Sequence, residues 1–92
     1  VVCRAMEELA QRLGRCDTLY NDSAWTGLRK NTRSLIAIAE QVGMFTLAKV
    51  AADVTACIDR SDEVALAATL SRLIRTGERS LTAVWDMHDI LS

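Results

Sequence analysis

The chain has 92 residues, of which half are hydrophobic and only 4% are aromatic, with four Gly and no Pro. This length favours a single domain over residues 1–92 with one core, and the high apolar content argues against disorder. Eleven basic and twelve acidic side chains give a formal net charge of −1, which argues against a broad, non-specific nucleic-acid surface.

The first predicted helix covers the amino-terminal part of the chain. Apolar residues recur there at alternating steps of four and three, which is typical of one buried helical stripe: Val2, Met6, Leu9, Leu13 and Cys16. Gly14 weakens the last turn of this helix, so we expect residues 17–21 to form a connection.

A second helix follows a group of residues that favour helix starts, Asn21, Asp22 and Ser23. Its buried stripe is predicted to contain Trp25, Leu28, Thr32, Leu35, Ala39 and Val42, widened by Ile36 and Ile38. Gly43 supplies a residue that tolerates the left-handed conformation, and it therefore predicts the end of this helix.

Two further helices complete the pattern. The third starts near Met44 or Phe45 and buries a stripe made of Leu47, Val50, Val54 and Cys57. A polar turn at residues 59–62 separates it from a long fourth helix, whose stripe contains Leu66, Leu70, Leu73, Leu81, Val84 and Leu91. Gly77 interrupts that stripe, and we expect it to allow a neighbouring side chain to approach closely.

Short connections between four amphipathic helices force consecutive helices to run antiparallel. The pattern therefore predicts an all-α fold, an antiparallel up-down-up-down four-helix bundle. This expectation depends on periodicity alone.

Three segments, in this order, also resemble a known family: Met6–Leu13 (MEELAQRL), Leu28–Ala37 (LRKNTRSLIA) followed by Gly43, and Leu47–Asp62 (LAKVAADVTACIDRSD). They are similar to the opening helix, the active helix and the third helix of histidine-containing phosphotransfer (Hpt) domains. The resemblance extends from about Met6 to Trp85. It implies a four-helix bundle that works in two-component signalling, with a response-regulator receiver domain or a histidine-kinase domain as partner.

The chain departs from this family at the residues that carry its chemistry. Arg33 stands where the family has its phosphorylated His, Ile36 replaces the Lys that follows, and Ala37 replaces the Gly. A guanidinium is protonated at physiological pH and has no free lone pair with which to attack a phosphoryl group. The sequence therefore predicts no phosphotransfer, no enzyme activity and no cofactor, although Ala37 is small enough for a partner to approach.

The resemblance leaves a basic strip on the second helix as the predicted binding surface: Arg29, Lys30, Arg33, Ile36 and Ala37. Positions 29, 33 and 37 lie one turn apart and project away from the Leu28 and Leu35 stripe. We expect this strip to bind the acidic phosphoacceptor pocket of a receiver domain. A solvated helix face that only confers solubility is the alternative, and a structural or dimerising bundle unrelated to phosphorelay is a second hypothesis of a different class.

Other candidate sites have weaker support in the sequence. His88, the only histidine, stands late in the last helix without a following Lys-Gly pair, so we do not expect it to accept phosphate. A zinc site made of Cys3, Cys16, Cys57 and His88 lacks the usual paired spacing. A second basic stripe, Arg72, Arg75 and Arg79, lacks the interleaved aromatic residues of nucleic-acid surfaces. Trp25 and Trp85 follow the stripe spacing and are predicted to lie in the core.

The compartment follows from cysteine usage and hydropathy. Three cysteines without Cys-x-x-Cys spacing favour reduced thiols in a cytoplasmic protein. The apolar run Leu35–Ala39 is far shorter than the roughly 20 residues that cross a bilayer, so no membrane span is expected. No signal-peptide pattern is visible.

Overall fold

The structure, a computed structural model, describes the backbone of residues 2–91 and the side chains of residues 4–87. Over this range the chain forms four helices and no strand: α1 (Val2–Asn21), α2 (Trp25–Gln41), α3 (Phe45–Asp59) and α4 (Glu63–Leu91). The all-α prediction and the number of helices are confirmed.

The helices pack as a ring in chain order. Each helix packs against the next one, most extensively α2 against α3, and α4 returns to α1 through a smaller set of contacts. Within the described residues, the diagonal pairs α1 and α3, and α2 and α4, do not approach each other closely. This arrangement is the expected bundle, and it measures 44 × 20 × 19 Å. At about 1.5 Å per residue, the 29 residues of α4 run the full length of the long axis.

The core is built from aliphatic side chains of all four helices. The fully buried apolar residues include Met6, Leu9, Leu28, Leu35, Leu47, Val50, Val54 and Leu73. Burying a side chain of this size stabilises the fold by about 1.5–3 kcal/mol relative to leaving it exposed. Cys16 and Cys57 are also buried, as small apolar residues of the core.

The first connection lies later than the sequence predicted. The expectation that residues 17–21 form a loop is wrong, since α1 continues to Asn21 and the turn occupies residues 22–24. Gly14 lies in open space and costs the helix only about 1 kcal/mol, whereas Leu19 and Tyr20 pack against the core and hold the last turns in place. Ser23 takes the left-handed conformation with φ 54°, and α2 begins without a side-chain cap.

The remaining turns follow the predicted chemistry. Gly43 ends α2 with φ +79°, as expected of a left-handed helix terminus. Between α3 and α4, the Asp62 carboxylate accepts a hydrogen bond of 3.1 Å from the amide of Ala65 and so caps α4. Ser61 precedes it with a positive φ of 54°.

Both tryptophans lie at the surface, so the prediction that they belong to the core is wrong. The exposed fraction is 37% for Trp25 and 42% for Trp85. Trp25 is the first residue of α2 and packs edge-to-face on Tyr20, with ring centroids 5.8 Å apart. The apolar stripe of α2 therefore continues past the end of the core. Periodicity alone does not show where along a stripe the burial stops.

Gly77 has the role that its place on the stripe predicted. A Cβ atom at this position would lie 3.1 Å from Cγ of Leu13 and closer still to both of its methyl groups. The absent side chain is what lets buried Leu13 of α1 reach the backbone of α4. A glycine therefore permits one of the close approaches between α1 and α4.

Candidate functional site: the outer face of α2 and its two flanks

The outer face of α2 presents three of the predicted binding residues. Lys30, Arg33 and Ala37 are all exposed, and at 100° per residue they share one side of the helix. The opposite side, with Leu28 and Leu35, is buried in the core. This face is bordered by α3 on one side and by α1 on the other, and the two borders differ in chemistry.

On the α3 flank, a carboxylate neutralises one of the basic side chains. Nε of Arg29 donates to Oδ1 of Asp59 at 2.7 Å, and Nη2 lies 3.5 Å from Oδ2. This hydrogen bond is the main reason why the pKa of Asp59 lies below its ordinary value, and the nearby charge of Arg33 acts in the same direction. The same contact raises the pKa of Arg29.

Beneath this ion pair, α2 and α3 are joined by hydroxyl groups and apolar contacts. The hydroxyl oxygens of Thr32 and Thr55 lie 3.0 Å apart. Thr32 donates to the Arg29 carbonyl at 3.0 Å, and Thr55 donates to the Ala51 carbonyl at 3.1 Å. Thr32 is fully buried, and Ile36 is partly buried against the core. One part of the Ile36 side chain therefore contacts the core, and the rest is exposed on the outer face. Arg33 and Ala37 are exposed to solvent.

On the α1 flank, a cleft of about 330 Å³ lies between α1 and α2. Five of the six residues that form its walls have basic or polar side chains; the walls are formed by Arg12, Arg15, Gly27, Lys30, Asn31 and Ser34. Nε of Arg12 donates to the hydroxyl of Ser34 at 3.2 Å. The predicted site residue Lys30 thus borders this cleft as well as the outer face, whereas Arg29 lies on the α3 flank.

A buried side-chain amide lies at the base of this cleft and links α2 to α1 by hydrogen bonds. Asn31 is 6% exposed, and its side-chain nitrogen lies 2.8 Å from the Arg12 carbonyl and 3.3 Å from the Cys16 sulfur. Burial raises the pKa of the Cys16 thiol to about 11, so the thiol stays protonated at neutral pH. A neutral thiol of this kind is a poor nucleophile and serves here as a packing and hydrogen-bonding group.

The sequence did not point to Arg12, Arg15, Asn31, Ser34 or Asp59 as site residues. Asn31 carried one available signal: an amide inside a helix, one position from the buried stripe, is a candidate for a bond to the neighbouring helix. The pairing of Arg29 with Asp59 joins positions 30 residues apart. Such a pairing has no local sequence signature.

The basic stripe of α4 is exposed but lies beside acidic residues. Arg72 lines a shallow depression with Asp53, and Arg75 lines another with Asp17. His88 and Cys3 lie outside the described side chains. Among the side chains that the structure does describe, no three His, Cys, Asp or Glu residues come close enough together to hold a metal ion.

Comparisons with known proteins return no match for this chain. No protein-family model matches it. Neither the curated proteins nor the solved structures contain a significant match. Over its described length, none of the four helices combines the size and apolar character needed to cross a membrane.

Proposed function

We propose that this chain is an Hpt-like docking module of a two-component system, which binds a receiver or histidine-kinase domain through the outer face of α2 without carrying phosphate. The observation that supports this proposal most is the exposure of Arg33 and Ala37 at mid-helix, at the positions matching the family's His and Gly. The bundle architecture and the order of the helices agree with it.

The charge arrangement suits an acidic partner. Asp59 occupies the guanidinium of Arg29, which leaves Arg33 and Lys30 as the exposed cations of this face. An exposed Arg beside the small Ala37 can enter a carboxylate-lined pocket, where bidentate hydrogen bonds to carboxylate are favourable. Electrostatic complementarity of this kind contributes to both specificity and association rate.

A phosphate carrier is not part of the proposal. Arg33 cannot form a phosphoramidate by attack on an aspartyl phosphate, because its guanidinium has no free lone pair at physiological pH. Ile36, which replaces the family's Lys, offers no charge to phosphoryl oxygens. The module would therefore act as an adaptor or a competitor.

The test is a backbone NMR titration of the isotope-labelled protein with a panel of receiver domains, with and without beryllofluoride. The proposal predicts chemical-shift changes centred on residues 29–37. It also predicts that Arg33→Ala makes the binding free energy less favourable by about 1–3 kcal/mol. Arg79→Ala, which removes an exposed arginine from α4, serves as the matched control and should bind like the parent. An absence of shifts across the panel, or equal affinity of the Arg33→Ala protein, would refute the proposal.

A structural role through self-association is a second candidate, and one observation favours it. Phe45 is 68% exposed at the start of α3, and Met87 is 61% exposed on the last turns of α4. Analytical ultracentrifugation of the parent and of Phe45→Ser decides between the candidates. A dimer that dissociates in Phe45→Ser supports self-association, and a monomer over the whole concentration range excludes it.

A further inference from the structure

The cleft between α1 and α2 gathers positive charge without a matching carboxylate. Arg12 and Arg15 from α1 face Lys30 from α2, and none of the described residues that line the cleft is Asp or Glu. Within the described part of the chain, none of these three side chains forms an ion pair. Glu8, one helical turn before Arg12 on α1, pairs with Arg4 at 3.9 Å. Because the chain as a whole has a net charge of −1, this concentration is local.

The cleft is also organised by hydrogen bonds within the protein. The Ser34 hydroxyl accepts a hydrogen bond from Nε of Arg12. The two terminal nitrogens of the Arg12 guanidinium can therefore still donate to a ligand. Asn31 fixes the backbone of Arg12 from below. Because the guanidinium is held in place before binding, less side-chain conformational entropy is lost when a ligand binds.

Two other surface depressions contain arginine but lack this property. In one, Arg72 shares the walls with Asp53, and in the other, Arg75 shares them with Asp17. A carboxylate in the same depression competes with an anionic ligand for the guanidinium and repels it. The α1–α2 cleft therefore differs from them in charge rather than in size.

We infer that this cleft binds the phosphate group of a phosphorylated small molecule or of a lipid headgroup. Three cations suit a dianion better than a single carboxylate, and guanidinium groups donate paired hydrogen bonds to phosphate oxygens. The volume of about 330 Å³ lies at the lower end of the range for small-molecule sites, about 300–1,000 Å³. This site is distinct from the receiver-docking face, since only Lys30 belongs to both.

Calorimetric titration with sodium pyrophosphate at constant ionic strength tests this inference. Arg15→Gln and Arg12→Gln should each weaken binding about tenfold or more, because each removes a charge-assisted hydrogen bond. Arg75→Gln removes the same charge from a remote helix and should leave the affinity unchanged. Arg15 is exposed, so its replacement leaves the core intact, and an unaltered amide NMR spectrum verifies the fold.

Two further arms identify the source of the phosphate. Binding of glycerol 1-phosphate without binding to vesicles indicates a soluble ligand. Binding to phosphatidylcholine vesicles only when they contain phosphatidic acid indicates a headgroup. The inference is overturned if pyrophosphate does not bind, or if Arg15→Gln and Arg75→Gln weaken binding equally. Arg33→Ala should leave pyrophosphate binding intact, which separates this result from that of the receiver titration.

Discussion

The two flanks of α2 carry the same type of side chain but in opposite electrostatic settings. On the α3 flank, Arg29 is paired with Asp59 at 2.7 Å. On the α1 flank, Arg12, Arg15 and Lys30 line a cleft in which, among residues 4–87, no carboxylate takes part. The function of a basic residue here thus depends on the neighbouring helix, since the position of one acidic side chain decides whether the charge is available to a ligand.

The interiors of the flanks differ as well. A buried amide bonded to a backbone carbonyl and a thiol supports the α1 flank, whereas a pair of hydroxyls supports the α3 flank. Both arrangements satisfy polar groups that would otherwise be costly to bury. Substitutions at these positions measure how much each interaction contributes to stability.

The largest expected effect comes from the Cys16 thiol at alkaline pH. Its pKa is raised to about 11 in the folded protein, while an exposed thiol titrates near 8.5. The stabilisation from the protonated thiol is present below about pH 8.5 and is lost as pH rises towards 11, by roughly 3 kcal/mol. Urea unfolding from pH 7 to 10 should show a steeper loss of stability for the parent than for Cys16→Ala. Parallel curves for the two proteins would contradict this assignment.

Removal of the buried amide should have the next largest effect. Asn31→Ala removes the amide that bonds the Arg12 carbonyl and the Cys16 thiol, which should lower the free energy of unfolding by about 2 kcal/mol. Lys30→Ala, one residue away and exposed, should change it by less than about 0.5 kcal/mol. Chemical denaturation measures both, and a similar loss in the two variants would show that the amide does not support the cleft.

The hydroxyl pair of the α3 flank should contribute less. Thr32→Val should cost about 1 kcal/mol, because the Thr55 hydroxyl loses its contact with α2 and keeps only its hydrogen bond to the Ala51 carbonyl. The double variant Thr32→Val/Thr55→Val should lose less free energy of unfolding than the sum of the two single losses, since the contact between the two hydroxyls is then removed only once. A double-mutant cycle measures this coupling, and strict additivity would mean that the two hydroxyls do not interact.

Asp59→Asn should have the smallest effect on stability, since exposed ion pairs contribute little. The pKa of Asp59 is lowered, so its contribution is present above about pH 4 and is lost as pH falls through the lower folded value. The parent and the variant should therefore unfold alike at strongly acidic pH. At pH 7, the variant should show a new pyrophosphate response at Arg29 by NMR, and its absence would mean that Asp59 does not block this flank.

Much of the fold follows from the sequence because apolar periodicity reports which side of a helix is buried. The stripe of α2 placed Leu28 and Leu35 correctly, and Gly43 marked the end of that helix. The pattern failed where burial stops along a stripe, as at Trp25, and where packing overrides a local breaker, as at Gly14.

The site could be predicted only in part. The exposure of Arg33 and Ala37 follows from their distance from the stripe, a property of a single helix. The pairing of Arg29 with Asp59 and the convergence of Arg15 with Lys30 depend on the register between helices, which periodicity does not specify. Long-range partners of this kind require the packed structure.

The central claim is that the two sides of α2 form separate binding surfaces of different chemistry. The most direct test of this claim is one set of amide NMR titrations on the parent, Arg33→Ala and Arg15→Gln. Each protein is titrated with a beryllofluoride-treated receiver domain and, separately, with pyrophosphate. We predict that Arg33→Ala loses the receiver and keeps pyrophosphate, while Arg15→Gln does the reverse. Variants that lose both ligands together, or neither, would contradict the division of this helix into two binding surfaces.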